Sequence, residues 1–211
     1  MRLILIPSLI TLAVTILRVV GELEHWPEGF FGRAGGGGTA IVGIVWLVPI
    51  FGIYFALKLT AANGAPRSFA RAFMFVIPAA VLMQSRPFLA QHFLPHGISL
   101  KGWLMFLWSL AVLAALLALP AWPRLWKILL AYGFAARVPV AVVILFALRG
   151  NWGTHYDSVA QSFQAMGLFQ KWLWLGISAQ VFYWVAFTLV AGMLFGTIAG
   201  AIARAMRRPV S

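Results

Sequence analysis

Residues 126–148 read WKILLAYGFAARVPVAVVILFAL, an apolar run with one charge near its start, Lys127, and one near its centre, Arg137. A bilayer core about 30 Å thick is crossed by about 20 residues of α-helix, because each residue advances the helix by about 1.5 Å. Lipid offers no hydrogen bonds to an exposed backbone, so an apolar run of this length is stable there as a helix. We therefore predict that residues 126–148 form a membrane-spanning helix.

Five more runs of this kind occupy most of the remaining chain. They cover residues 3–20, 39–59, 69–83, 102–119 and 173–203. The chain of 211 residues is 63% hydrophobic and 9% charged, whereas a soluble domain has about 25% charged residues. The connections between the runs are too short to hold a soluble domain. The sequence therefore predicts one all-α transmembrane domain over residues 1–211, a polytopic bundle of six transmembrane helices.

Charge is distributed unevenly across this six-helix arrangement. One side receives nine basic residues and no acid, and the other receives five basic residues and all four acids. Basic loops favour the cytoplasmic side, so both termini are predicted to be cytoplasmic, in a cell's inner (plasma) membrane. The net charge of +12 comes from residues that flank the apolar runs. We attribute it to insertion and to lipid headgroups of the bilayer, and we expect no nucleic acid partner.

Two of the runs depart from the ideal length. The third run is short, because Arg71 and Arg86 bracket it, and the following segment 84–101 contains Pro87 and Pro95. That segment either extends the helix outward, lies in the interface or re-enters the membrane, and the sequence leaves the three open. The sixth run, 173–203, would measure about 46 Å as a straight helix, which exceeds the hydrocarbon core.

Three glycines in the sixth run are spaced four residues apart, at Gly192, Gly196 and Gly200. Small residues at this spacing form a groove that lets a second helix approach closely. The pattern predicts a helix-packing face, used either inside the monomer or as an oligomer contact.

Arg137 is the most unusual residue of the chain. It lies 11 residues past Trp126, about 16 Å along a helix, and an arginine at the centre of a span costs about 2.5–3.5 kcal/mol on insertion scales. We therefore expect its side chain to face the interior of the bundle. There it serves either as half of an internal ion pair or as a clamp for an anion or carboxylate.

Further candidate binding residues lie at the outer ends of the first and fifth runs. Arg18 lies one turn before Glu22, so the two can pair on one helix face, with Arg18 reaching toward the outer interface. The segment NWGTHYD, residues 151–157, places His155, Tyr156 and Asp157 together. That segment is either a binding mouth or acid–base site, or a capped loop in which Asp157 begins a short helix through residues 158–166. We predict that Glu22, Arg137, His155 and Asp157 converge on one cavity that opens outward.

Metal and cofactor chemistry has little support in the sequence. His92 and His96 have the spacing of two ligands on one helix face, but Pro95 interrupts that turn, and a third ligand would have to come from elsewhere, such as His25. There is no cysteine, and no catalytic metal motif is present. No metal and no cofactor is expected.

These observations favour a small transporter or channel-like protein with an outward-facing polar vestibule for an anionic or zwitterionic small molecule. A membrane-embedded enzyme is the first alternative, with a histidine and carboxylate site on the outer face that acts on a lipid or periplasmic substrate. An accessory membrane subunit without activity of its own is the second.

Overall fold

The computed structural model describes residues 2–33 and 40–206, and in those ranges the chain is helical without a β-strand. The helices are α1 (Arg2–Leu23), α2 (Glu28–Phe31), α3 (Leu47–Ala61), α4 (Phe69–Phe93), α5 (Leu100–Ala118), α6 (Pro123–Gly150), α7 (Leu168–Lys171) and α8 (Val185–Met206). A 3-10 turn (Gln161–Phe163) precedes α7, and a π-helical segment (Trp172–Trp184) joins α7 to α8. The prediction of an all-α protein is confirmed for the described residues.

Five helices in the described part of the chain are long and apolar enough to cross a membrane. They are Leu3–Leu23, Phe69–Phe93, Leu100–Ala118, Pro123–Gly150 and Leu168–Met206. Large apolar side chains on them are exposed, for example Met74 at 74%, and lipid would cover such surface. This is the composition of a multi-pass membrane protein. Helix α3, with 15 residues, is shorter than a span, so the count of six and the cytoplasmic termini stay predictions.

The chain forms two compact units. Unit 1 consists of Met1–Leu47 and Phe134–Val181, and unit 2 consists of Val48–Gly133 and Phe182–Ser211. Helix α6 and the π-helical segment each pass from one unit into the other.

The second predicted run begins its helix later than the hydropathy indicates. The predicted apolar run covers residues 39–59, whereas α3 begins at Leu47. Thr39 lies outside the described residues. The backbone N–H of Val42 donates to the carbonyl of Phe30 at 3.0 Å, and that of Ile41 donates to Gly29 at 3.4 Å. These bonds tie residues 41 and 42 to the segment around α2, and residues 41–46 form bends and turns instead of a helix.

Helix α4 is longer than the run 69–83 and continues to Phe93. Pro87 has no N–H to donate to the carbonyl of Met83, which would leave that carbonyl without its helical partner. The Nε of Arg86 donates to this carbonyl at 2.6 Å. The side chain of Arg86 therefore replaces the missing bond, and the helix passes through Pro87.

The glycines of α8 pack closely inside unit 2. A Cβ added at Gly52 of α3 would lie 2.6 Å from the carbonyl oxygen of Gly192, and one at Gly196 would lie 2.8 Å from that of Gly52. A Cβ at Gly200 would meet the rings of Trp122 and Phe69 at 3.0 and 3.1 Å. The backbones of α3 and α8 thus approach to a distance that leaves no room for a side chain, as small-residue spacing favours. An oligomer contact at these glycines stays a prediction.

Candidate functional site

The buried face of α1 is polar, which is unusual for a helix with this hydropathy. Thr11, Thr15, Arg18 and Glu22 are each at most 6% exposed. Their spacing of four, three and four residues places them on one face of the helix, over a length of about 16 Å. A polar stripe therefore runs along more than half of α1 and ends at its carboxyl terminus.

The two threonines satisfy their hydroxyl protons within the helix itself. Thr11 Oγ1 donates to the carbonyl of Pro7 at 2.8 Å, and Thr15 Oγ1 donates to that of Thr11 at 2.9 Å. Back-bonding of this kind removes most of the cost of a hydroxyl in apolar surroundings. Ser8, one turn before Thr11, has a buried Oγ with no hydrogen-bond partner among the described residues.

Glu22 joins α1 to the loop at residues 151–157. Its side chain is 0% exposed, and Oε1 accepts from Arg18 Nε at 2.8 Å. Oε2 accepts from the backbone N–H of His155 at 2.9 Å, and Nδ1 of His155 also bonds to Oε1. A carboxylate can be buried when it is paired and hydrogen-bonded, and Glu22 receives donors from two distant parts of the sequence.

Arg18 is enclosed rather than extended toward the interface, contrary to the expectation from its position. Besides the bond to Glu22, its Nη2 donates to the carbonyl of Gly32 at 3.2 Å. A Cβ at Gly43 would lie 2.9 Å from Nη1, so glycine at that position leaves room for the guanidinium. Three segments of unit 1 thus surround one cation.

Tyr156 packs beside these charges. Its ring lies 3.8 Å from that of His155, between centroids, and it is part of a buried cluster with Val140, Ile144 and Ala147 of α6. Burial raises the pKa of the Tyr156 phenol above its ordinary value. The negative charge of Glu22 raises this pKa further, whereas the positive charges of Arg18 and Arg137 lower it. The phenol therefore stays protonated at neutral pH and lies within electrostatic range of all three charges.

Arg137 is 4% exposed, as predicted for a residue facing the interior. The contacts above join four candidate binding residues of unit 1, and Arg137 lies on α6, the helix against which Tyr156 packs. We call these five residues the polar cluster, and it consists of Arg18, Glu22, Arg137, His155 and Tyr156.

Asp157 has a different part in the structure. Its Oδ2 accepts from the N–H of Gly153 at 2.9 Å, and Oδ1 accepts from the N–H and the hydroxyl of Thr154, each at 2.7 Å. Asn151 and Gly153 have positive φ values of 49° and 69°, so the loop is tightly turned there. Asp157 holds this turn. The helix expected over residues 158–166 is absent, and only the 3-10 turn Gln161–Phe163 forms.

The histidines considered as metal ligands take other contacts. His25, with a φ of 56°, lies 2.7 Å through Nδ1 from the carbonyl of Leu23. His92 stacks on Phe88 with 5.4 Å between ring centroids, and His96 follows the end of α4. Within residues 2–33 and 40–206, no group of three histidines, cysteines or acids could hold a metal ion.

Sequence reasoning missed Gln180, which lies in the π-helical segment. Gln180 is 6% exposed, and its Oε1 has no hydrogen-bond partner among the described residues. π-Helical turns occur frequently at functional sites, but no sequence signal marks this segment as π-helical. The threonine stripe was also missed, although its helical period is visible in the sequence.

Comparison of the chain with protein-family models, with curated proteins and with solved structures finds no match. The chemistry of the site therefore has to be inferred from its own geometry. The polar cluster combines two guanidinium groups, one carboxylate, one imidazole and one neutral phenol. Such a set can hold an anion through its guanidinium groups.

Proposed function

We propose that this protein is a small transporter or channel-like protein of a cell's inner membrane, and that the polar cluster binds an anionic or zwitterionic small molecule in an outward-facing vestibule. The observation that carries the proposal is the polar stripe of α1. It follows a helix long enough to cross a membrane and ends in the buried contacts among Arg18, Glu22 and His155. Intramembrane polar residues of this kind are typical of solute and proton pathways.

The formal charges of the cluster favour an anion. Arg18 and Arg137 contribute two positive charges, and Glu22 contributes one negative charge. The carboxylate of Asp157 is engaged by its own loop. A surplus of positive charge in a low-dielectric region attracts an anion or the carboxylate of a zwitterion.

Two further observations support a polar route in unit 1. The side-chain oxygens of Ser8 and Gln180 are buried without hydrogen-bond partners among the described residues. Buried polar atoms require partners, and water or a passing solute would provide them.

The proposal is tested with the purified full chain in proteoliposomes. Chloride, acetate, inorganic phosphate and glycine serve as probes, and uptake is compared between wild type, Arg137→Gln and the matched control Arg149→Gln, which removes an exposed charge from the same unit. We expect uptake of at least one probe, loss of that uptake in Arg137→Gln and wild-type uptake in the control. Thermal unfolding checks that each variant is folded, and Arg137→Lys, which keeps the charge, should retain part of the uptake. Absence of uptake for every probe in wild type, or equal uptake in Arg137→Gln, contradicts the proposal.

One observation favours a membrane-embedded enzyme instead. A carboxylate bonded to the Nδ1 of an imidazole orients the ring and stabilises its protonated form, which is the arrangement of a general base. Glu22 and His155 have this arrangement. The hydroxyl of Thr154, the residue before His155, donates to Asp157. If the protein is an enzyme, His155→Asn should lose turnover of a lipid substrate but still bind it. If the protein is a transporter, wild type itself should show no turnover of that substrate.

A further inference from the structure

Unit 2 has an extreme charge composition. Its two segments, Val48–Gly133 and Phe182–Ser211, contain ten lysines and arginines and no aspartate or glutamate. The positive charges of this unit therefore have no carboxylate side chains within it to neutralise them. Their counter-charges must come from elsewhere, and anionic groups in the membrane or in solution are the general source.

Two of these arginines line a cavity where α4 begins and α8 ends. The cavity has a volume of about 380 Å³, and its walls include Arg67, Ser68, Phe69 and Arg204, with alanines forming most of the remainder. The hydroxyl oxygen of Ser68 caps α4 by accepting from the N–H of Arg71 at 3.2 Å. A cavity of this size accommodates a phosphate group together with part of a headgroup.

The guanidinium of Arg204 is held in place at the wall of this cavity. Its Nη1 donates to the carbonyl of Pro66 at 3.0 Å, and its Cζ lies 6.0 Å from the centroid of the Phe69 ring. One hydrogen bond leaves other guanidinium donors to face the cavity. An arginine whose orientation is fixed loses less entropy on binding a phosphate than a mobile one.

A third arginine increases the positive potential beside the cavity. The Nη1 atom of Arg124 lies 3.4 Å from the Cβ position of Gly64. Gly64 belongs to the connection between α3 and α4, which also contains Arg67. Large apolar side chains close by are also exposed, with Ile202 at 56% and Met206 at 82%. Positive charge and exposed apolar side chains therefore lie together here, and they complement the phosphate and the acyl chains of a phospholipid.

From this arrangement we infer that the cavity between Arg67 and Arg204 is a binding site for a phosphate-bearing anion, either the phosphate of a membrane lipid headgroup or inorganic phosphate. Arg204 binds the phosphate oxygens through its remaining N–H groups, and Arg67, which also lines the cavity, supplies a second positive charge. The exposed apolar side chains of α8 lie where acyl chains would run. This site is separate from the polar cluster, and neither proposal depends on the other.

The test uses the full chain, delipidated in a non-ionic detergent, with phosphatidylglycerol titrated and bound lipid counted by native mass spectrometry. The variants are Arg67→Gln, Arg204→Gln and the double variant. The matched control is the double variant Arg149→Gln/Lys171→Gln, which removes two positive charges from unit 1. One arginine near a membrane surface is worth about 1 kcal/mol, so each single variant should bind about fivefold more weakly, the double variant more than about tenfold more weakly, and the control as wild type.

A second arm distinguishes the source of the phosphate. Sodium phosphate is added against sodium chloride at equal ionic strength, and the retained phosphatidylglycerol is counted again. Displacement by millimolar phosphate identifies inorganic phosphate as an occupant, and retention identifies the lipid. The inference is overturned if the double variant binds phosphatidylglycerol as tightly as the control does. It is also overturned if wild type binds neither the lipid nor phosphate. Arg67→Gln keeps the test valid if Arg204→Gln does not fold, because Arg67 is exposed.

Discussion

Glu22 and His155 lie 133 residues apart in the sequence, yet the Glu22 carboxylate accepts hydrogen bonds from both the backbone N–H and the Nδ1 of His155. This pair attaches the loop after α6 to the end of α1. Because Arg18 binds the same carboxylate and also donates to the carbonyl of Gly32, the contacts around one buried acid connect three parts of unit 1.

Replacing Glu22 by glutamine should destabilise the protein strongly. Arg18 would keep its charge in a buried position without the carboxylate, and breaking a buried ion pair from one side costs about 3–5 kcal/mol. Unfolding in a denaturing detergent, followed by tryptophan fluorescence, measures the change. Glu24→Gln is the control, since Glu24 is exposed and should shift the midpoint little. Equal midpoints for the two variants would show that the buried pair contributes nothing.

His155→Ala should loosen the loop at residues 151–157 without unfolding the helices. The variant keeps the backbone N–H that bonds to Oε2 but loses the bond from the imidazole, and a lost buried hydrogen bond costs about 1–3 kcal/mol. Hydrogen–deuterium exchange should become faster in this loop and stay unchanged in α4. His96→Ala, at an exposed histidine, serves as the control. Unchanged exchange in the loop would mean that the ring does not hold it.

Gly52→Ala should destabilise unit 2, because the new Cβ would lie 2.6 Å from the backbone oxygen of Gly192 and backbone cannot move aside cheaply. Overpacking of this kind costs about 1–3 kcal/mol. Gly167→Ala is the matched control, since no atom lies within 4 Å of its Cβ position. The thermal unfolding midpoint should be lower for Gly52→Ala than for Gly167→Ala. A Gly52→Ala midpoint equal to that of wild type would contradict the close approach of α3 and α8.

Stability should fall at alkaline pH in a way that depends on Tyr156. Burial raises the pKa of this phenol above its unfolded value, which is about 10. The folded state therefore favours the protonated phenol. That contribution is complete below about pH 10 and is lost as the pH rises from there toward the folded value. Tyr156→Phe lacks this contribution, so the difference in unfolding free energy between wild type and variant should change only above about pH 10. A constant difference from pH 8 to 11 would show that the phenol is not buried.

The topology prediction is tested with reporter fusions after Gly97 and at Ser211. With six spans and cytoplasmic termini, the two fusions report opposite compartments, because Gly97 lies between α4 and α5. If both reporters are active in the same compartment, an even number of spans lies between the two positions instead of three, and the arrangement is contradicted.

Some features of the structure could be predicted from local sequence alone. The helical class follows from the length of the apolar runs, since in lipid the backbone must satisfy its hydrogen bonds within the segment. The interior position of Arg137 follows from the cost of placing a charge against lipid. The extension of α4 through Pro87 is one of three alternatives that the sequence allows for residues 84–101. The bond from Arg86 to Met83 that permits it is nevertheless local.

Other features depended on contacts that no local pattern contains. The segment before α3, which starts at Leu47, is tied to the chain near α2 by bonds from Ile41 and Val42. The burial of Gln180 likewise arises from the packing around it.

The sequence by itself therefore determined the secondary structure class, the lipid-facing character of the helices and the inward position of the deep arginine, because each depends on hydropathy and helix geometry along one segment. Only the tertiary structure decided that Glu22 bonds to His155, while the Asp157 carboxylate bonds to Gly153 and Thr154 of its own loop. Apolar burial is non-directional and tolerates many arrangements, whereas a hydrogen bond requires its donor and acceptor within about 3 Å. Which polar groups meet is therefore set by how distant segments pack.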